Sequence, residues 1–110
     1  MGKLTEPRLK ALLCELRRGL ETAFAERLEG MYLFGSYCRG EADDESDVDI
    51  LIVLSEMRAY GKEVDASSEL VAGLSLEYGV AVTPVFVPGA EWREGRGFFV
   101  ASIREEAIAA

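Results

Sequence analysis

The sequence predicts a small α/β (α+β) domain, a mixed β-sheet flanked by helices. Apolar residues recur at helical spacing over a long N-terminal stretch and over a less regular middle one. Three short apolar runs, 31–34, 48–54 and 79–87, interrupt them as strands would. The resulting order is α-β-α-β-α-β-α. A chain of 110 residues buries roughly two-thirds of its unfolded surface, enough for one domain, 1–110, with a real core.

Thr5-Glu6-Pro7 reads as a helix start, with Thr5 as the cap and Pro7 in the first turn. Leu9, Leu12, Leu13, Leu16, Leu20, Ala23, Phe24 and Leu28 then form one apolar stripe. The helix is expected to end near Glu29-Gly30. Met31 to Phe34 follow as the first strand, and Ser36 to Arg39 as a short helix. After a polar loop, Val48 to Leu54 is almost unbroken in its apolar character, as expected of a strand covered on both faces.

Met57 to Tyr78 reads as helical, in one piece or in two if Asp65 to Glu69 interrupt it. Val64, Leu70, Val71, Leu74 and Tyr78 mark its buried side, and Gly79 closes it. In the third strand, 79–87, Pro84 gives up a ladder hydrogen bond and so indicates an edge position or a bulge. A loop is expected from Pro88 to Gly97, and a last helix from Phe98 to Ala109 with Phe99, Ile103 and Ala107 inward.

Composition excludes much chemistry. Histidine is absent, which removes Ser-His-Asp and Cys-His hydrolases and His-ligated zinc. Two cysteines are too few for a Cys₄ zinc site, and with no export signal they suit a reducing, cytoplasmic setting. The net charge of −8 argues against nonspecific grip on nucleic acid, and no stretch approaches the ~20 apolar residues of a membrane span. Asparagine and glutamine are absent too, a depletion of heat-labile amides that points to a thermophilic source.

The residues left to carry chemistry are Gly35-Ser36-Tyr37-Cys38-Arg39-Gly40 and the acids leading into the second strand. Alternate strand residues share a face, so Asp47 and Asp49 point the same way, roughly 6–7 Å apart at Cα. Two such carboxylates repel unless a cation joins them, and their hard oxygens favour Mg²⁺ with phosphate oxygens as further ligands. Gly35 allows close backbone approach, and Ser36 offers a hydroxyl and an N–H at a helix start. Arg39 either neutralises a polyphosphate or pairs with Asp43, Asp44 or Asp47 to shape the loop. Asp43-Asp44-Glu45 reads as a solvated loop and Cys38 as a small packing residue.

The Gly-Ser turn, a ten-residue spacer from Ser36 to Asp47, the Ser-Asp-x-Asp and the apolar tail resemble the signature of the DNA polymerase β-like nucleotidyltransferase superfamily. Within it, the chain is similar to the minimal nucleotidyltransferases, small proteins often paired with HEPN-domain proteins. The likeness spans about Leu9 to Ile108. It implies that Gly35 and Ser36, with Arg39, hold a nucleoside triphosphate, ATP first. It also implies that Asp47 and Asp49 bind the catalytic Mg²⁺, or Mn²⁺ in its place. The implied reaction moves a nucleotide unit, AMP first, to a protein or small acceptor, with a HEPN-domain protein or a second copy of the chain as partners. Active relatives take a third carboxylate from a later strand. Here that strand is 80–87, which has no acid, and Thr83 is its polar residue near the expected position. The departure leaves a second reading, a non-catalytic nucleotide-binding or antitoxin-like module that keeps the fold.

Overall fold

A computed structural model describes residues 3–110. Five helices and four strands are assigned within it: α1 (Glu6–Phe24), β1 (Leu28–Phe34), α2 (Ser36–Arg39), β2 (Val48–Leu54), α3 (Tyr60–Tyr78), β3 (Val82–Pro88), α4 (Gly89–Glu94), α5 (Phe98–Ile103) and β4 (Ile108–Ala109). The sheet order is β3-β2-β1-β4. β1 runs antiparallel to both β2 and β4, and β2 runs parallel to β3. The sheet is mixed, as the α/β (α+β) expectation requires.

β2 lies inside the sheet, and its side chains sort by parity into two cores. Val48, Ile50, Ile52 and Leu54 join Leu12, Leu16 and Leu20 of α1 and Leu74 of α3. Leu51 and Val53 join Val87 and the α5 residues Val100 and Ile103, with Trp92 of α4 packed against them. A strand apolar on both faces is the direct consequence. Pro84 sits on β3, an edge strand, where a missing N–H costs the ladder little. Thr5 caps α1, its hydroxyl accepting from the Arg8 N–H at 3.4 Å.

Several element boundaries differ from the sequence expectation. α1 stops at Phe24 rather than near Glu29-Gly30, because Ala25 takes φ 50° and a 3₁₀ turn, Ala25–Arg27, follows. Pairing of Leu28 with Leu54 draws 28–30 into β1 instead. α3 is one uninterrupted helix, the first of the two alternatives, and it starts at Tyr60 rather than Met57. The Ser67 and Ser68 hydroxyls donate to carbonyls one turn back, satisfying themselves within the helix rather than breaking it. Its buried side carries Glu63, Ser67 and Leu74, while Val64 is exposed.

The expected loop 88–97 contains α4, closed by Gly95 in the left-handed region. Trp92 of α4 lies on Tyr32 with ring centroids 4.7 Å apart. Finally, the last helix ends at Ile103, not Ala109. Ile108 and Ala109 become β4, paired to Leu33 and Tyr32. Val100 and Ile103 are its buried residues; Phe99 stays 39% exposed, edge-on to Phe34.

Glu63 is a buried charge, its side chain 1% exposed. Arg27 meets it through two hydrogen bonds, at 2.8 and 3.1 Å, and the Arg58 N–H donates to it at 3.0 Å. Arg27 foremost, with the Arg58 N–H adding, holds the Glu63 carboxyl below its usual pKa despite burial.

Candidate active site

The turn between β1 and α2 and the first residues of β2 meet at one end of the sheet. Gly35 has φ +79°, and a Cβ there would overlap the Asp49 carboxylate. Glycine at 35 is therefore required twice, by its backbone angle and by the acid packed against it. α2 begins at Ser36, whose carbonyl accepts the N–H of Glu41 at 2.9 Å as the chain leaves the helix.

The loop that returns to β2 is held locally. The Asp43 carboxylate accepts the Glu45 N–H at 2.9 Å and the Ser46 hydroxyl at 3.2 Å, and the Asp43 N–H donates to Ser46 Oγ at 2.9 Å. This side-chain turn delivers Asp47 to the mouth of β2. The Val48 N–H then donates to the Ala81 carbonyl at 2.8 Å, starting the parallel ladder with β3.

Asp49 stands second in β2 and shares parity with Leu51 and Val53, so it belongs to the α5 side of the sheet. Its register neighbours are Phe34 on β1 and Thr83 on β3. Asp47 is exposed and Asp49 half-buried. Burial is the main cause pushing the Asp49 pKa up from its ordinary value, and the Asp47 charge adds to it. Arg39 pulls back, and Glu106 pushes up again. Asp49 thus carries a charge that its surroundings compensate only in part.

The five residues singled out from sequence are all at this end of the fold. Gly35 lies against Asp49, Asp47 stands two residues ahead of Asp49, Ser36 begins α2, and Arg39 ends it. Arg39 does not pair with Asp43, Asp44 or Asp47. Its guanidinium binds Glu41 at 2.8 Å and Glu106 at 3.2 Å. Cys38 is partly buried against the core; its thiol donates to the Glu106 carbonyl at 3.0 Å, and burial pushes its pKa up. It packs, as expected, and carries no sign of an activated thiolate.

Glu106 was not legible as part of this site. Its carboxylate accepts the Gly35 N–H at 2.8 Å and two contacts from Arg39, at 3.2 and 3.4 Å. Read as one helix, 98–109 aligns Glu106 with Ile103 and Phe99, one and two turns back, and gives no sign of a contact with Gly35 or Arg39. The early end of α5 swings it over α2 instead.

Among the described residues, no three His, Cys, Asp or Glu side chains converge where a metal ion would sit. The donor chemistry nevertheless suits a hard divalent cation. Two carboxylates share one end of a strand, one of them short of counter-charge, and Mg²⁺ completes its shell with water and substrate phosphate rather than with an all-protein cage.

The Gly-Ser turn thus lies against Asp49, with Asp47 just ahead of it at the mouth of the same inner strand. The chain belongs to the nucleotidyltransferase domain family, whose profile matches residues 13–109. A candidate protein adenylyltransferase of Methanocaldococcus jannaschii is 35% identical over 74 residues, 67% of this chain and 74% of that protein. The protein adenylyltransferase MntA of Thermococcus cleftensis is 37% identical over 76 residues, 69% of this chain and 75% of its own. In fold, a candidate nucleotidyltransferase of Sulfolobus solfataricus superposes with a TM-score of 0.56 at 20% identity, covering 96% of this chain and 87% of that one. No helix among the described residues is long and apolar enough to cross a membrane.

Proposed function

We propose that this single-domain chain, 1–110, transfers a nucleotide unit, AMP from ATP, to a hydroxyl on a protein acceptor. The observation that carries the reading is the contact of Gly35 with Asp49, which sets a phosphate-holding turn directly against that under-compensated acid. The relatives named protein adenylyltransferases support AMP and a protein acceptor.

Gly35 and Ser36 hold the polyphosphate through backbone N–H groups and the Ser36 hydroxyl, and Arg39 neutralises its charge. Asp47 and Asp49 would hold Mg²⁺ or Mn²⁺, which when bound lowers the charge on the phosphate and steadies the attacking and leaving oxygens. The acceptor hydroxyl oxygen bonds to the α-phosphorus and loses its proton to solvent, the bond from that phosphorus to the bridging oxygen breaks, and pyrophosphate leaves with the electron pair. Asp49 keeps the turn and the acids in register, since any shift of β2 moves it away from Gly35. The acceptor comes from outside the chain, from a HEPN-domain protein or a second copy, in the cytoplasm where ATP is at hand.

One observation favours a non-catalytic nucleotide-binding or antitoxin-like module instead. The register neighbour of Asp49 on β3 is Thr83, and β3 carries no carboxylate. The assay that decides is transfer of label from α-labelled NTPs, with Mg²⁺ or Mn²⁺, onto the chain and onto a HEPN-domain protein. Transfer by the wild type that falls at least ~100-fold in Asp49→Asn is the expected result. Silence in the wild type, and again in Thr83→Asp, would leave the binding module standing.

A further inference from the structure

Gly35 N–H and Arg39 are two of the groups that the proposed reading gives to the polyphosphate, and both are engaged by one side chain of the chain itself. Glu106 accepts from Gly35 N–H at 2.8 Å and from Arg39 at 3.2 and 3.4 Å. A carboxylate bridging a backbone N–H and a guanidinium uses the donors a phosphate oxygen would use. The placement is built rather than incidental. Cys38 Sγ–H holds the Glu106 carbonyl at 3.0 Å, and the Glu106 N–H donates to the Ile103 carbonyl at 3.1 Å. β4 then pins the following residues to β1.

We infer that Glu106 is an intramolecular competitor for the nucleotide's polyphosphate, so that its release from Gly35 and Arg39 sets the nucleotide affinity. This rests on the nucleotide site proposed above. The backbone need not open for release: the Glu106 side chain is 29% exposed, so a rotamer change can turn its carboxylate out to solvent. A polyphosphate brings more negative charge than one carboxylate and displaces it, but binds more weakly by the fraction of molecules in which Glu106 is released. Competition with one internal group also makes a quantitative demand. Every ligand using these donors gains by the same factor when that group is removed.

The test measures binding of Mg²⁺-tripolyphosphate and of Mg²⁺-ATP by calorimetry to wild type, Glu106→Ala, Glu106→Gln and Glu105→Gln. The Gly35 amide is followed in ¹⁵N correlation spectra, which also report folding. Glu106→Ala should tighten both ligands by a common factor of about 3–10, with Glu106→Gln between it and wild type. Glu105→Gln removes the same charge one residue away and should change neither by more than about twofold. In the wild type, tripolyphosphate should move the Gly35 amide, and in Glu106→Ala the amide should be shifted before any ligand is added. Equal or weaker binding in Glu106→Ala, or an equal gain in Glu105→Gln, overturns the competitor while leaving the nucleotide site in place. Absence of binding in every folded variant, with the Gly35 amide still responding to Glu106→Ala, withdraws the nucleotide site and the competitor with it.

Discussion

Glu63 and Asp49 are both carboxylates taken partly out of water, and their surroundings treat them oppositely. Glu63, on the buried side of α3, receives Arg27 through two hydrogen bonds and the Arg58 N–H through a third. Its pKa falls. Asp49 is less buried, but its partial burial is met by no ion pair among the described residues, Asp47 adds like charge, and Arg39 is held by Glu41 and Glu106. Its pKa rises. The fold satisfies the charge that only has to be stable and leaves the other in want of a cation. Burial left without a counter-charge, rather than burial alone, marks the site.

The largest test of this contrast removes the satisfied partner. Glu63→Ala should destabilise the protein by about 2 kcal/mol, below the ~3–5 kcal/mol of a fully buried pair because Arg27 reaches solvent. Chemical denaturation reads the loss, and nucleotide binding should survive in the folded fraction. A smaller cost is expected at the turn. Gly35→Ala forces a strained φ and displaces Asp49, at about 1–2 kcal/mol, and it should abolish nucleotide binding where Glu63→Ala does not.

The smallest effect has the opposite sign. Asp49→Asn should stabilise the unliganded protein by under ~1 kcal/mol, since the site is half open to solvent. The signs with pH follow from the two shifts. Glu63, its pKa lowered when folded, contributes stability above its ordinary value of 4.5 that is lost as the pH falls through and below it. Asp49, its pKa raised, costs stability at neutral pH, and that cost disappears as the pH falls toward and below 3.8. The advantage of Asp49→Asn over wild type should therefore shrink on acidification, whereas the disadvantage of Glu63→Ala should shrink for the reverse reason. A denaturation series from pH 7 to about pH 3.5 separates the two.

Both strands of the site were legible because their signals are local. Gly35-Ser36, the spacer and the alternation of Asp47 with Asp49 need only neighbouring residues, and the apolar run of β2 announces burial on both faces. What escaped depends on contacts distant in the chain. Glu63 lies on a stripe where Val64 looked the better core residue, and only Arg27, 36 positions away, makes its burial tolerable. Glu106 enters the site because α5 stops at Ile103 and two residues pair with β1, a pairing too short to show as a strand pattern. α1 was overextended for a related reason: Leu28 fits the helical stripe, but pairing with Leu54 claims it.

The most direct measurement is the melting temperature with and without Mg²⁺-ATP, in wild type and in the double variant Asp47→Asn with Asp49→Asn. Binding to the folded state alone stabilises the wild type by about 2.7 kcal/mol at ~100 times the dissociation constant. The double variant should melt at or slightly above the wild type without ligand and show no shift with it. An unchanged shift in the double variant would contradict the account, because the nucleotide would then be held somewhere other than at Asp47 and Asp49.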